Sequence, residues 1–303
     1  MYVNHHRIYK TLRERGFDKE NIRYLNYKSV NAANEEILNK VMVNQTTETI
    51  LVKQPTITEI EDAFTDLQSK IKDNPAPLYV IMIDHGGYEG TFHIYSDKND
   101  TSDDNTIKPD KLAGWLNDLE TYLETNNINA LKKPRIVILG FCYSGSFISG
   151  LSQKATFTDP KDSKTLENAG RIIITSATAQ EESYKGPTEA DGIPSGEYFM
   201  EEFFARLGKS DNLKQAFKFA TEKTEAFTRK GGDANTTNRF YDTAMQHPLL
   251  DDKGEGKGSN ILTSDEGQQA QQVFLGVGPT YKTNFAGNPA EILSVSNTFY
   301  LSH

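Results

Sequence analysis

Two hydrophobic patterns alternate along this chain. Leu78 to Ile83 and residues 136–139 with Phe141 are apolar runs, too short for helices and rich in β-branched residues, and Arg171–Ile174 reads as a third buried strand. Runs of this kind read as strands buried on both faces, as in a parallel sheet. Between them the apolar residues recur every three or four positions. Thr56-Ile57-Thr58-Glu59 has the spacing of a capping box and opens a helix with Ile60, Phe64, Leu67 and Ile71 on one face, broken by Pro75-Ala76-Pro77. Pro109 suits the first turn of a helix carrying Leu112, Trp115, Leu116, Leu119 and Leu123. Before the first run, Ile8, Tyr9 and Leu12 mark a helix over residues 5–16 that stops at Gly16, followed by a short alternating strand at 21–25.

After the second run, residues 147–151 start a short helix. Residues 197–207 read as a helix with an aromatic face, and Asp211 or Asn212 caps another running to about Phe227. Residues 91–95 pair locally, and 273–277 read as the last strand of the main sheet. Residues 28–57, 96–107, 154–168, 179–196 and most of 229–272 read as loops, while the weakly alternating tail at 292–301 belongs to something else. Strand, helix and strand repeat through the middle of the chain, which predicts an α/β fold with a mostly parallel sheet.

A chain of 303 residues makes one large domain or two small ones, and 36% hydrophobic with 25% charged residues fits a soluble globular protein. The net charge of −9 argues against nucleic acid, which needs a basic face. No stretch approaches the ~20 apolar residues that span a membrane. The single cysteine, Cys142, excludes an internal disulfide and a Cys-cluster zinc site, and is compatible with either side of a membrane. The carboxylates of 96–107 fit no calcium loop, and in 251–256 Lys253 stands where such a loop offers an oxygen, so that stretch reads as a turn.

The first run ends in Asp84-His85-Gly86-Gly87, the second in Gly140-Phe141-Cys142-Tyr143-Ser144-Gly145-Ser146. A right-handed crossover makes the two strands parallel, about 4.8 Å apart if adjacent, so His85 and Cys142 reach one carboxyl edge. A free cysteine is more often a small buried hydrophobe. Its place before a Gly/Ser turn, with a histidine ending the other strand, points instead to a nucleophile. The thiolate would attack an acyl carbon, the imidazolium would protonate the leaving group, and the backbone N–H groups of Gly86 and Cys142 would hold the oxyanion. His5 and His6 fall on a solvated helix and His93 in a hairpin. Two alternatives stand beside this reading: an α/β-hydrolase with a cysteine elbow, whose later histidine is His247 or His303, and a binding module without activity.

The motifs Asp84-His85-Gly86, Cys142-x-Ser144-Gly145-Ser146 and Thr175-Ser176-Ala177 with Glu182-Ser183-Tyr184, each after its strand, resemble the legumain-type (asparaginyl endopeptidase-like) group of caspase-fold cysteine peptidases. The similarity runs from about residue 5 to 278, and Gln246-His247-Pro248-Leu249-Leu250-Asp251-Asp252 is similar to bacterial members. The resemblance implies a caspase-like αβα sandwich over residues 1–278, with 279–303 a linker or the start of a further β element. It also implies a His85/Cys142 dyad, peptide or protein substrates, no cofactor, and a substrate pocket at Ser183, Glu197, Gly140, Thr175 and Ser176. A full-length protein of this kind is compatible with a secreted or periplasmic location, although no signal peptide is visible here.

Two departures accompany the resemblance. Such domains begin with a strand and a pocket loop ahead of the first helix, whereas Met1 falls almost at the helix, so the first sheet position is expected to be empty. Gly140 stands where family members often carry an acidic residue. Ser183 matches the pocket serine and Glu197 the pocket aspartate, although a carboxylate opening a helix is also explained by capping. A carboxylate in the pocket predicts that Lys or Arg is tolerated before the scissile bond, Asn accepted and Asp disfavoured.

Overall fold

The computed structural model describes residues 2–26, 38–88, 90–94, 105–152, 156–158, 165–167, 170–187, 196–263, 265–276 and 297–302. Helix α1 (Tyr2–Glu14) leads to β1 (Ile22–Asn26). An antiparallel hairpin of β2 (Leu38–Val43) and β3 (Thr46–Leu51) follows, turning at Asn44 and Gln45, both at positive φ. This hairpin lies where the pattern reads as a loop. Its buried residues Val41, Val43 and Ile50 are separated by Thr, Asn and Glu, which hide the alternation.

Helix α2 (Ile57–Asp73) starts as expected, the Thr56 hydroxyl accepting from the Glu59 N–H at 3.2 Å. Next come β4 (Leu78–Ile83) and a small antiparallel sheet of β5 (Gly86–Gly87), β6 (Thr91–His93) and β7 (Thr106–Ile107). Helix α3 (Pro109–Asn126) has its proline in the first turn. Then follow β8 (Arg135–Gly140), α4 (Ile148–Leu151), a second unforeseen hairpin of β9 (Thr156–Thr158) and β10 (Thr165–Glu167), and β11 (Arg171–Thr175). Helices α5 (Tyr198–Leu207) and α6 (Leu213–Thr228) precede β12 (Leu249–Asp251), α7 (Gln268–Gln272) and β13 (Asn297–Ser302). A full capping box of Asn212 and Gln215 fixes the start of α6.

The central sheet has the order β1-β13-β4-β8-β11-β12, parallel except for β12. Its unbroken apolar strands divide their side chains between two cores, as a period of two requires. Tyr79, Ile81, Ile136, Ile138, Ile172 and Ile174 pack with α1, α5 and α6, through Tyr9, Leu12, Phe199, Phe203 and Phe217. Val80, Met82, Val137, Leu139 and Ile173 pack on the other face with α2, α3 and α4, through Phe64, Leu67, Leu116, Leu119 and Leu151. Each such side chain, removed from water, contributes about 1.5–3 kcal/mol. The result is the αβα sandwich that the resemblance implies.

Two expectations about the sheet are corrected. The position between β1 and β4, expected to be empty, is filled by β13 from the tail, paired in parallel from Asn297 against Leu78 to Ser302 against Ile83. Residues 273–276 add no strand to the main sheet, and Val277 lies outside the described residues. Phe274 makes a single bridge to Asn212, and β12 takes the sheet edge instead, antiparallel to β11.

At the amino edge of the sheet Arg135 and Arg171, paired in register, converge on Glu120. Its carboxylate accepts from both Nε atoms at 2.9 and 3.0 Å, and all three residues are buried. The 251–256 stretch is a turn. The Asp251 carboxylate accepts from the N–H groups of Lys253 and Gly254, and that of Asp252 accepts from Gly267, Gln269 and Ala270 at the start of α7. Most of the acidic loop at 96–107 lies outside the described residues.

Candidate active site

Ile83 of β4 pairs with Gly140 of β8. His85 and Cys142 each lie two residues beyond that pair, on the same carboxyl edge of neighbouring parallel strands. The two turns are in direct contact. A side chain at Gly86 would collide with the Cys142 carbonyl oxygen and the Phe141 ring, so only glycine allows this approach. Aromatic packing locks the arrangement, with Phe141 5.0 Å from Phe92 of the small sheet and 5.2 Å from Phe147 between ring centroids. The backbone at His85 is fixed by local bonds: its N–H donates to the Asp84 carboxylate at 2.6 Å, and its carbonyl accepts from the His93 N–H at 3.1 Å.

The turn after β8 is held from the loop that follows β11. The Tyr143 N–H donates to the Glu181 carbonyl at 2.8 Å, and the buried Ser144 hydroxyl accepts from the Ala177 N–H at 3.2 Å. Gly145 lies so close to the backbone of Thr178 and Ala179 that a Cβ would sit 2.7 Å from it. The half-buried Cys142 sulfur accepts from the Ser183 N–H at 3.3 Å and lies 3.6 Å from the Ser183 hydroxyl. His85 stands at the rim, where burial of the ring and then the Lys185 ammonium lower its pKa from 6.5. At neutral pH the ring is therefore predominantly a proton acceptor.

Beneath Ser183 runs a buried hydrogen-bond chain. The Gln246 amide oxygen accepts from the Tyr184 N–H at 2.9 Å, and its Nε2 donates to both the Ser176 carbonyl and a Glu197 oxygen at 2.8 Å. The other Glu197 oxygen caps α5, accepting from the Met200 N–H at 2.8 Å. Burial pushes the Glu197 carboxyl up to about 7, against the hydrogen bonds from Met200, Gln246, Phe199 and Ser176 that pull it down. A cavity of about 260 Å³ between α1 and α5 is lined by Glu197, Met200, Ile83 and Ile8. A larger one of about 560 Å³ lies at the outer edge of β1, among Arg23, Lys53 and Glu59.

The residues expected at the site therefore separate by depth. Gly86 and Ser183 meet the Cys142 turn, His85 follows the neighbouring strand on the same sheet edge, and Ser176 with Glu197 form the layer below. Gly140 is buried against the Met200 side chain. Thr175 is buried with its hydroxyl donated to the Ala177 carbonyl at 3.0 Å.

Sequence reasoning assigned no role to Gln246, Glu181 or Lys185. The one signal for Gln246 is that the Gln246-His247-Pro248 segment is similar to bacterial members of the group. His247 pairs through Nδ1 with Glu181 at 2.7 Å, tying its loop to the residue that holds Tyr143. His93 sits in β6, in the expected hairpin. The side chains of His5 and His6, and all of His303, lie outside the described residues. Among the described residues no group of His, Cys, Asp or Glu is arranged to hold a metal ion, and no helix is long and apolar enough to cross a membrane.

A family model described as the caspase domain matches residues 2–239. The chain belongs to the caspase-domain family. That membership is of a cysteine-peptidase family and does not favour the α/β-hydrolase alternative. Similar solved structures include the crystal structure of caspase-1 from Spodoptera frugiperda, at 15% identity and a TM-score of 0.39, over 67% of this chain and 71% of that one. The pro-sf-caspase-1 structure has 17% identity, the same coverage and the same TM-score. No curated protein matches.

Proposed function

We propose that this caspase-domain chain is an active cysteine endopeptidase of the legumain type, similar to its bacterial members, with Cys142 as nucleophile and His85 as its base and acid. The contact between Gly86 and the Cys142 carbonyl carries the reading, because it holds the histidine loop against the only cysteine. In this mechanism His85 takes the thiol proton and the sulfur attacks the scissile carbonyl. The oxyanion is held by the N–H groups of Gly86 and Cys142. As the C–N bond breaks, His85 protonates the departing amine, and water then hydrolyses the thioester by the reverse sequence.

Ser183 and Glu197 belong to the pocket for the residue before the scissile bond, with Ser176 behind them and Gly140 and Thr175 shaping its base. Lys or Arg is tolerated there, Asn accepted and Asp disfavoured. A peptidyl electrophile directed at thiols tests the reading against an inactive binding module. Stoichiometric labelling at Cys142, abolished in His85→Ala, is expected. Labelling no faster than that of a free thiol would favour the binding module.

A further inference from the structure

We propose that Tyr88 and Tyr143 form the subsite for the residue following the scissile bond, and that it takes an aromatic or large apolar side chain. The inference rests on the peptidase reading and adds the chemistry of the leaving side. Tyr88 is 76% exposed, the most exposed large hydrophobic side chain among the described residues. It stands edge-on to Tyr143, with ring centroids 5.4 Å apart and planes at 81°. Tyr143 directly follows Cys142, and Tyr88 lies three residues beyond His85, so this ring pair joins the two turns that carry the chemistry.

The pair is held in place by construction. The Gly90 N–H donates to the Gly87 carbonyl at 3.0 Å, and Gly90, at φ 72°, fits against Ser146 so tightly that a Cβ would meet its hydroxyl at 2.7 Å. That hydroxyl in turn donates to the Tyr143 carbonyl at 2.6 Å. Tyr143 itself is at φ 61°, a conformation that favours Gly, Asn or Asp and disfavours a bulky residue. Keeping tyrosine there places a ring beside the nucleophile at a conformational cost. Its hydroxyl lies 3.4 Å from Glu182, which anchors the far end of the ring.

Direction follows from the chemistry. When the S–C bond has formed and the C–N bond breaks, the proton carried by His85 goes to the amine, so the departing half of the peptide lies on the side of the His85 loop. Tyr88 is the exposed apolar group of that loop. An aromatic side chain entering there joins an existing ring pair, and such contacts favour it over glycine by roughly threefold to tenfold.

The test uses the full chain and two quenched fluorescent peptides differing only in Phe or Gly after the scissile bond. The expected kcat/KM ratio of at least about threefold falls toward one in Tyr88→Ala and is retained in Tyr88→Phe. Cleavage of both peptides with a ratio near one, or a ratio that Tyr88→Ala leaves untouched, would overturn the subsite alone. Absence of cleavage by the unaltered chain, across a library of residues before the scissile bond, would overturn the peptidase reading and the subsite with it.

Discussion

Gly86 lies against the carbonyl oxygen of Cys142 with no space for a side chain between them. Gly86→Ala must therefore push the His85 loop away from the cysteine turn. Because both loops lie at the sheet edge, the fold should persist. A displacement of about 1 Å between reacting groups costs on the order of a hundredfold in rate. We expect that loss in kcat/KM with an unchanged circular dichroism spectrum, and full activity in the alanine variant would mean that the contact does not set the geometry.

Burial and then the Lys185 charge lower the His85 pKa from 6.5. Below its pKa the ring is protonated and cannot accept the thiol proton. The acid limb of a kcat/KM profile should therefore have its midpoint below pH 6.5, and Lys185→Met should move that midpoint upward by removing the positive neighbour. A midpoint that moves down, or stays fixed, would show that the limb reports another group.

Glu197 gives a stability signature of opposite sign to most carboxylates. Its pKa is raised from 4.5 to about 7 in the fold, so its contribution is complete below about 4.5 and is lost as pH rises through 7. At 1.36 kcal/mol per unit the full loss amounts to roughly 3 kcal/mol. Urea titrations at pH 5 and pH 8 should show this decline in the wild type and a flatter dependence in Glu197→Gln, which does not ionise. Equal slopes would contradict the assignment.

The strands and helices of the sandwich were legible where local pattern and tertiary role agree. β4, β8 and β11 are buried on both faces, so residues 78–83, 136–139 and 172–174 form continuous apolar runs, and α2 and α6 announce themselves through their caps. The β2–β3 hairpin was not legible, because its apolar positions are spaced among Thr and Glu. β12 has only three residues, and nothing local in 249–251 distinguishes it from 273–277 as the edge strand. At the site, His85 and Cys142 could be placed on one sheet edge because each follows a recognisable strand. Gln246 could not, since its partners Ser176, Tyr184 and Glu197 lie 49 to 70 residues away and meet it only in the fold.

The tail strand supplies a further expectation. β13 pairs on both sides, with β1 and β4, and its removal leaves β4 with an open edge directly before His85. Deleting residues 297–303 should lower the melting temperature and promote association through the exposed strands. A shortened chain with the same melting temperature and the same elution volume would show that β13 adds nothing to the sheet.

The central claim is that Cys142 and His85 act together on a peptide bond. The most direct measurement is turnover of a fluorogenic peptide library by the unaltered chain, Cys142→Ala and His85→Ala, each checked for an unchanged melting profile. The account predicts measurable cleavage by the first and none above background by the other two. Cleavage that survives in Cys142→Ala would contradict it.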